Sequence, residues 1–511
     1  MEHLRHILLL ILLLLGARCK ENNINKNTDG KKLAQVNCAA CHTFPSPELL
    51  DKITWKNRIL PVMGMKLGFN EPTKEAETNM TRLLLEGGYS SVPVITSKDW
   101  KKIKSYYLNK APNKLDNSKR PDTIETTSLF KPKALNLNPS FTPGITALKI
   151  DTAYQRIWAA DGTLRQLFNI SSRGAVKSFR IDYTVSSIDV FKQKDKILLT
   201  HIGQSLQPTE NKDGMISSIA LDHQVPSKSQ QHVLADNLGR PVETLVADFT
   251  GDGREEMLVA EFGFRTGALS YLKEKEDGTL SKIILKNEPG AIKSIPLDMN
   301  KDGRMDVVTL FAQAKEKIVL FRNKGNEHFE EIPLLTFPPS YGSTHFEMKD
   351  FNSDGLLDIL YTCGDNADYS PVLKPYHGIY LFLNKGDLTF EQRYFYPMHG
   401  AYKAMAKDYD MDGDLDIAAI AFFADYDNFP ENSFVYLEHD GGLGFTPKTL
   451  PIHTLGRWIT MDAGDYDGDG DEDLVLGNNL SWPGTEHKIK EWGNSSEVYI
   501  LENQKIAGTE N

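Results

Sequence analysis

Cysteine is scarce in this chain. Its 511 residues hold 4, Cys19, Cys38, Cys41 and Cys363, which excludes a disulfide framework as the source of the fold. Positive charge is also short, with 58 Lys and Arg against 69 Asp and Glu and a formal net charge of −11. A surface of that sign does not grip a phosphate backbone, so a general nucleic-acid role is excluded. Long apolar runs are missing as well. The N-terminal one, Ile7 to Leu15, is too short to span a bilayer as a helix. No Ser/His/Asp signature, phosphate-binding loop or catalytic zinc motif stands out, so no catalytic residue is assigned. What is present is 40% apolar and 25% charged, a globular composition, in a chain too long for one ordinary core.

The N-terminus reads as a targeting segment. Arg5 and His6 precede the apolar run, and Gly16 and Ala17 follow it, just before Cys19. A cysteine in that place resembles a bacterial lipoprotein signal, which implies that residues 1–19 direct export and that Cys19 is acylated. A plain cleaved signal and an uncleaved anchor are the alternatives, and all three put the rest of the chain outside the cytoplasm, in the periplasm or at the cell surface. Residues 20–32 are polar and without period, as a flexible tether would be.

Residues 33–112 carry Cys38-Ala39-Ala40-Cys41-His42, which is C-x-x-C-H. Two thiols one helical turn apart can each add to a vinyl group of one haem, and the adjacent histidine can then reach the iron. A zinc site would want a second Cys or His pair, and a thioredoxin-like pair would want a βαβ context; neither is present. Covalent haem c is therefore expected on Cys38 and Cys41, with His42 as axial ligand. Met63 in Ile59-Leu60-Pro61-Val62-Met63-Gly64-Met65 is the second-ligand candidate, with Met65 as the alternative, on an irregular loop opened by Pro61 and Gly64. Met80 sits in a helical pattern and reads as core. Trp100, Ile103 and Tyr107 fall on one helix face, and Ala111-Pro112 ends that helix. Together these residues resemble a small class I cytochrome c, which implies an all-α haem domain. Residues 113–132 read as a linker.

Five loops then recur on the pattern D-x-[D/N/T]-x-D-G-x-x-[D/E], with starts 50, 52, 58 and 57 residues apart. Their chemistry-bearing positions are Asp248, Thr250, Asp252 and Glu256; Asp298, Asn300, Asp302 and Asp306; Asp350, Asn352, Asp354 and Asp358; Asp408, Asp410, Asp412 and Asp416; and Asp465, Asp467, Asp469 and Asp473. Alternate side chains at positions 1, 3 and 5 converge as such a loop curls. Glycine at position 6 permits the turn, and an acid at position 9 completes an all-oxygen shell suited to Ca²⁺. An EF-hand would put its last acid at position 12 between helices, whereas these flanks are strand-like, as in Asp358-Ile-Leu-Tyr. Up to five Ca²⁺ ions would bring the charge of −11 close to neutral.

A period near 50 residues holding several short strands implies propeller blades. The turns Leu383-Asn-Lys-Gly-Asp-Leu-Thr-Phe390 and Phe321-Arg-Asn-Lys-Gly-Asn-Glu-His-Phe329, with the acidic loops, resemble FG-GAP/VCBS repeats. Residues 133–240 lack the loops but keep strand patterns, and two degenerate blades there would give about seven in residues 133–505. The expected fold is thus multidomain, a small all-α cytochrome c domain followed by an all-β propeller. The expected innermost strands carry Glu243, Lys293, His345, Lys403 and Thr460. His345 and Lys403 there, with His377 and His399 on long loops, form the possible ligand face. Cys363 reads as a buried thiol.

The whole chain resembles bacterial exported fusions of a c-type cytochrome domain with an FG-GAP/VCBS propeller. The resemblance implies electron transfer, with a redox protein as partner and the membrane reached through a lipid anchor. Two other readings stand beside it. One is a haem-coupled dehydrogenase whose propeller oxidises a sugar or small molecule, and the other is an adhesion or glycan-binding module.

Overall fold

The computed structural model describes residues 29–69, 92–117, 124–138, 140–191, 196–220, 231–367, 370–484, 486–492 and 495–505. Cys19, the signal region and Met80 lie outside the described residues. The described chain is a small helical module followed by a seven-bladed β-propeller. None of its helices is long and apolar enough to cross a membrane.

The first helix, Gly30–Cys38, begins at Asp29, whose carboxylate accepts from the Lys31 N–H. Asp51 starts the next helical stretch in the same way, accepting from Ile53 and Thr54. That stretch runs through Lys52–Thr54, widens to a π turn over Trp55–Ile59 and continues as Leu60–Lys66. The irregular loop expected at residues 59–65 is therefore helical. Pro61 has no N–H for the turn before it, and the wider turn just ahead accommodates that loss. Gly64 does not open the segment either, because a Cβ there would lie 3.1 Å from the Trp100 ring.

The last helix, Ser97–Lys110, buries Trp100, Ile103 and Tyr107. It crosses the first helix at Gly30, where a Cβ would stand 2.4 Å from the Lys102 carbonyl oxygen, so only glycine allows the approach. Trp55 packs on Tyr107 with ring centroids 4.3 Å apart. Trp55 Nε1 donates to Pro47 O and Tyr107 Oη donates to Pro45 O, both at 2.9 Å, which ties the intervening segment to this core.

The propeller's blades are four-stranded antiparallel sheets. Blades 1 to 6 occupy residues 145–180, 184–238, 241–286, 291–336, 343–397 and 401–449. Blade 7 takes three strands from residues 458–503 and its outer strand from Phe130–Leu135, which pairs with Val498–Asn503. The ring is thus closed by chain from its own beginning, and the closing strand starts inside the stretch read as linker. A short strand, Glu125–Thr126, adds in parallel to the outer edge of blade 6. The second strands of blades 4 to 7, Asp306–Phe311, Asp358–Cys363, Asp416–Ala421 and Asp473–Asn478, are buried along their whole length. They read as near-continuous apolar runs because each sheet packs face to face against two neighbours.

The acidic loops join first to second strands in blades 3 to 7, on what we call the lower face. The second-to-third strand and blade-to-blade connections lie on the upper face, and the helical module docks there. Tyr376 Oη donates to Leu49 O at 3.0 Å, Asn117 Nδ2 donates to Leu373 O at 3.4 Å, and Val372 packs against the module's core.

Candidate functional site

Three places carry chemistry. In the helical module, Cys38 is the last residue of the first helix and Cys41 is exposed one turn on; neither is in a disulfide. His42 is half-buried, with Nδ1 2.9 Å from Thr43 O. A carbonyl only accepts, so Nδ1 holds the proton and the lone pair is left on Nε2. Burial lowers the His42 pKa, and Lys66 beside it adds to the effect. Burial raises the Cys38 thiol, partly countered by a hydrogen bond with Tyr107. Met63 is half-buried against the same apolar cluster as Cys38, and Met65 is buried; both stand on the Leu60–Lys66 helix. A pair of thiols, a neutral imidazole with one unprotonated nitrogen and nearby thioethers are a donor set that fits a covalent haem.

On the lower face, the position-6 glycines Gly253, Gly303, Gly355, Gly413 and Gly470 have φ from 81° to 98°, a conformation that favours glycine. The position-1 carboxylates cap the turn: Asp298 accepts from the Asp302 and Gly303 N–H groups and Asp350 from those of Asp354 and Gly355. Three loops bring three carboxylates within 4.8 Å of one another: Asp248, Asp252 and Glu256; Asp408, Asp410 and Asp412; and Asp465, Asp467 and Asp473. In the two others Asn300 and Asn352 donate to Asp302 and Asp354. Burial, then neighbouring acids, pushes Asp416 and Asp473 up to about 6.

The position-9 acids have a second duty that sequence reasoning missed. Each opens its buried second strand, and one oxygen accepts the N–H of loop position 2: Phe249, Met299, Phe351, Tyr409 and Tyr466 respectively. In blades 4 to 7 the other oxygen accepts an N–H from the end of the third strand, at Asn323, Asn384, His439 or Asn503. The asparagines then reach onward. Asn323 Nδ2 donates to Phe249 O and Asn503 Nδ2 to Tyr409 O, both in the preceding blade. The signal for this was the asparagine of the L-N-x-G turn.

The third place is the upper mouth of the central axis. Every first strand carries a register shift against its second strand near its upper end, skipping the strand's second residue in six blades and its third, Ser186, in blade 2, where a further shift lies between Thr184 and Val185. The extra residue in each blade lines a single cavity of about 330 Å³. A β-bulge bends the strand and re-aims its side chain. Three of these residues stitch their blade to another first strand through a hydroxyl: Thr146 donates to Val185 O, Ser186 to Pro241 O and Thr344 to Ala401 O. The other four, Val242, Ile292, Tyr402 and Ile459, give the cavity apolar wall.

One residue deeper are the expected inner-strand side chains. Of these, His345, Lys403 and Thr460 line the cavity, while Lys293 binds Glu243 at 2.6 Å. Burial, with Lys403 and Lys293, holds His345 well below the usual histidine range. His377 and His399 do not join them. Both are buried in blade 5 and its exit, outside the cavity lining, and His377 is held neutral by burial. Cys363 is fully buried, and burial raises its thiol pKa.

The fold is a seven-bladed propeller, five of whose blades open on a D-x-[D/N/T]-x-D-G turn, and FG-GAP-like repeats are found within it. The FG-GAP-like repeat model matches residues 298–361 and 408–476. Comparison with curated protein sequences gives no match. Among solved structures, a streptogramin B lyase is 13% identical, with 73% of this chain and 98% of that one covered and a TM-score of 0.45. The N-terminal domain of Nup159 is 12% identical, with 74% and 97% covered and a TM-score of 0.43. Saccharomyces cerevisiae Sqt1 is 9% identical, with 75% and 99% covered and a TM-score of 0.41.

Proposed function

We propose that the protein is an exported, lipid-anchored electron carrier whose haem module rides on the upper face of a calcium-stiffened propeller. The observation that carries this reading is the C-x-x-C-H segment at the end of a helix packed across the module's last helix, with the His42 Nε2 lone pair left for iron. Cys38 and Cys41 would hold the porphyrin and His42 one axial position, with Met63 or Met65 at the other. Bound there, haem c supplies reversible one-electron chemistry. The chain's own part is to fix the imidazole tautomer through Thr43 and to seat the module on the blade 5 connection through Leu49 and Tyr376. The propeller presents a surface to a redox protein or small ligand, its acidic loops hold Ca²⁺, and acylated Cys19 anchors the chain to the membrane.

The test is to express the chain with the c-type haem maturation machinery. Haem should stay with the polypeptide on a denaturing gel and be lost in Cys38→Ala/Cys41→Ala. The oxidised protein should show the weak far-red band of thioether-ligated iron, and Met63→Ala should abolish it. No covalent haem in the native chain would sink the reading.

A further inference from the structure

The cavity at the upper mouth is built by all seven blades, yet nothing in the haem reading uses it. Its volume of about 330 Å³ is at the low end for small-molecule sites, which have mostly apolar walls and a few convergent polar groups. Phe262, Phe264, Phe422, Phe423 and Trp482 add aromatic faces to the apolar bulge residues. Phe422 is held in place by the Arg457 guanidinium, 3.8 Å from its ring centroid.

Most polar groups of the lining already have internal partners. Ser343 Oγ donates to Glu316, and Gln313 Nε2 donates to Phe264 O. Arg240 donates to Gly263 O and Leu206 O. Lys403 is different. Its Nζ donates to Met461 O at 2.7 Å, and among the described residues no carboxylate lies within ion-pair distance. An ammonium has three donors, so two are left. The cations nearby are matched elsewhere, Lys293 with Glu243 at 2.6 Å and Lys149 with Asp462 at 3.5 Å. Of the nearby acids, Glu347 accepts the Ala406 N–H, and Asp365 accepts the Ala367 N–H and faces Lys374. His345, on the neighbouring strand, is uncharged. Burial disfavours the charged form of Lys403, and Asp462 and Glu347 attract it only through space without touching it, so an anion in direct contact with the two remaining donors relieves a costly arrangement.

We propose that this cavity binds a small organic carboxylate, with a one-ring apolar body between the aromatic walls and its carboxylate on Lys403. The site rests on the propeller alone and stands or falls apart from the haem reading.

The experiment is calorimetric titration of the full chain in calcium buffer with benzoate and with benzamide, the same ring without the charge. A charge-assisted hydrogen bond at a shielded site predicts benzoate binding at least about tenfold tighter than benzamide. Lys403→Met should bring benzoate down to the benzamide level, and Lys403→Arg should keep the preference. Acetate should bind at least about tenfold more weakly than benzoate, because it leaves the aromatic walls unfilled. Equal binding of benzoate and benzamide, no heat from either, or an unchanged benzoate affinity in a folded Lys403→Met protein would overturn the proposal. The benzoate and benzamide comparison on the native chain decides even where a variant misfolds.

Discussion

Glu316 joins blade 4 to blade 5, and its titration makes a sharp test of how the ring is held. It is 2% exposed, and it accepts from Gly342 N at 3.0 Å and from Ser343 N and Oγ at 2.8 and 2.5 Å. These three donors favour the ionised form, but burial disfavours it more, and the carboxyl is pushed up to about 7 from the ordinary 4.5. The folded state therefore binds this proton more tightly than the unfolded state does. The stability it contributes is complete below about pH 4.5 and is lost as pH rises through about 7. At about 1.4 kcal/mol for each tenfold change in proton affinity, the loss is about 3 kcal/mol. Glu316→Gln keeps the shape and cannot titrate. All other groups cancel in the comparison, so the stability gap between the two proteins should change by about 2.5 kcal/mol between pH 5 and pH 8, against the native chain at the higher pH. Urea unfolding in calcium buffer, followed by tryptophan fluorescence, measures both. Parallel stability curves would refute the reasoning and mean that the three donors outweigh burial.

Chelation of calcium with EGTA should lower the propeller's unfolding temperature, by the equivalent of about 3–4 kcal/mol if the ion had been present at a hundred to a thousand times its dissociation constant; an unchanged melting curve would show that the carboxylate groups hold no ion. Asn503→Ala leaves the Tyr409 and Glu472 carbonyls without their amide donor, so about 2–4 kcal/mol should go from urea-measured stability, and a loss under about 1 kcal/mol would deny the inter-blade role. Gly30→Val puts a side chain onto the Lys102 carbonyl. It should unfold the helical module in far-ultraviolet circular dichroism while the propeller's melting transition stays where it was, and a joint loss would show that the two parts fold as one.

The blades were readable from sequence because position 6 needs glycine and positions 1, 3, 5 and 9 need short oxygen-bearing side chains, so the geometry leaves a repeated residue pattern. The helix carrying Trp100, Ile103 and Tyr107 was readable for a similar reason, since its core spacing is local. The strand Phe130–Leu135 was not. Its partner, Val498–Asn503, lies at the far end of the chain, and its exposed pattern of Lys and Pro looks like linker. The helical turn at Pro61 was hidden because the π turn that accommodates it has no residue signature.

The bulge ring was the hardest to see, and its residues show why. A shift of register adds one residue to a strand and demands no residue type, so Thr146, Ser186, Val242, Ile292, Thr344, Tyr402 and Ile459 share a position without sharing chemistry. Three make hydroxyl bonds to another blade's first strand and four make none, yet all seven blades keep the bulge. Those bonds therefore are not what produces it. The common factor is the crowding of seven first strands around one axis, where a bend turns each strand's upper end outward and leaves room at the mouth. A fold that fixes the position while leaving the side chain open can change what lines the cavity without disturbing the ring. That is why the chemistry of the mouth, with Lys403 at its floor, must be read from the side chains that stand there and not from the repeat.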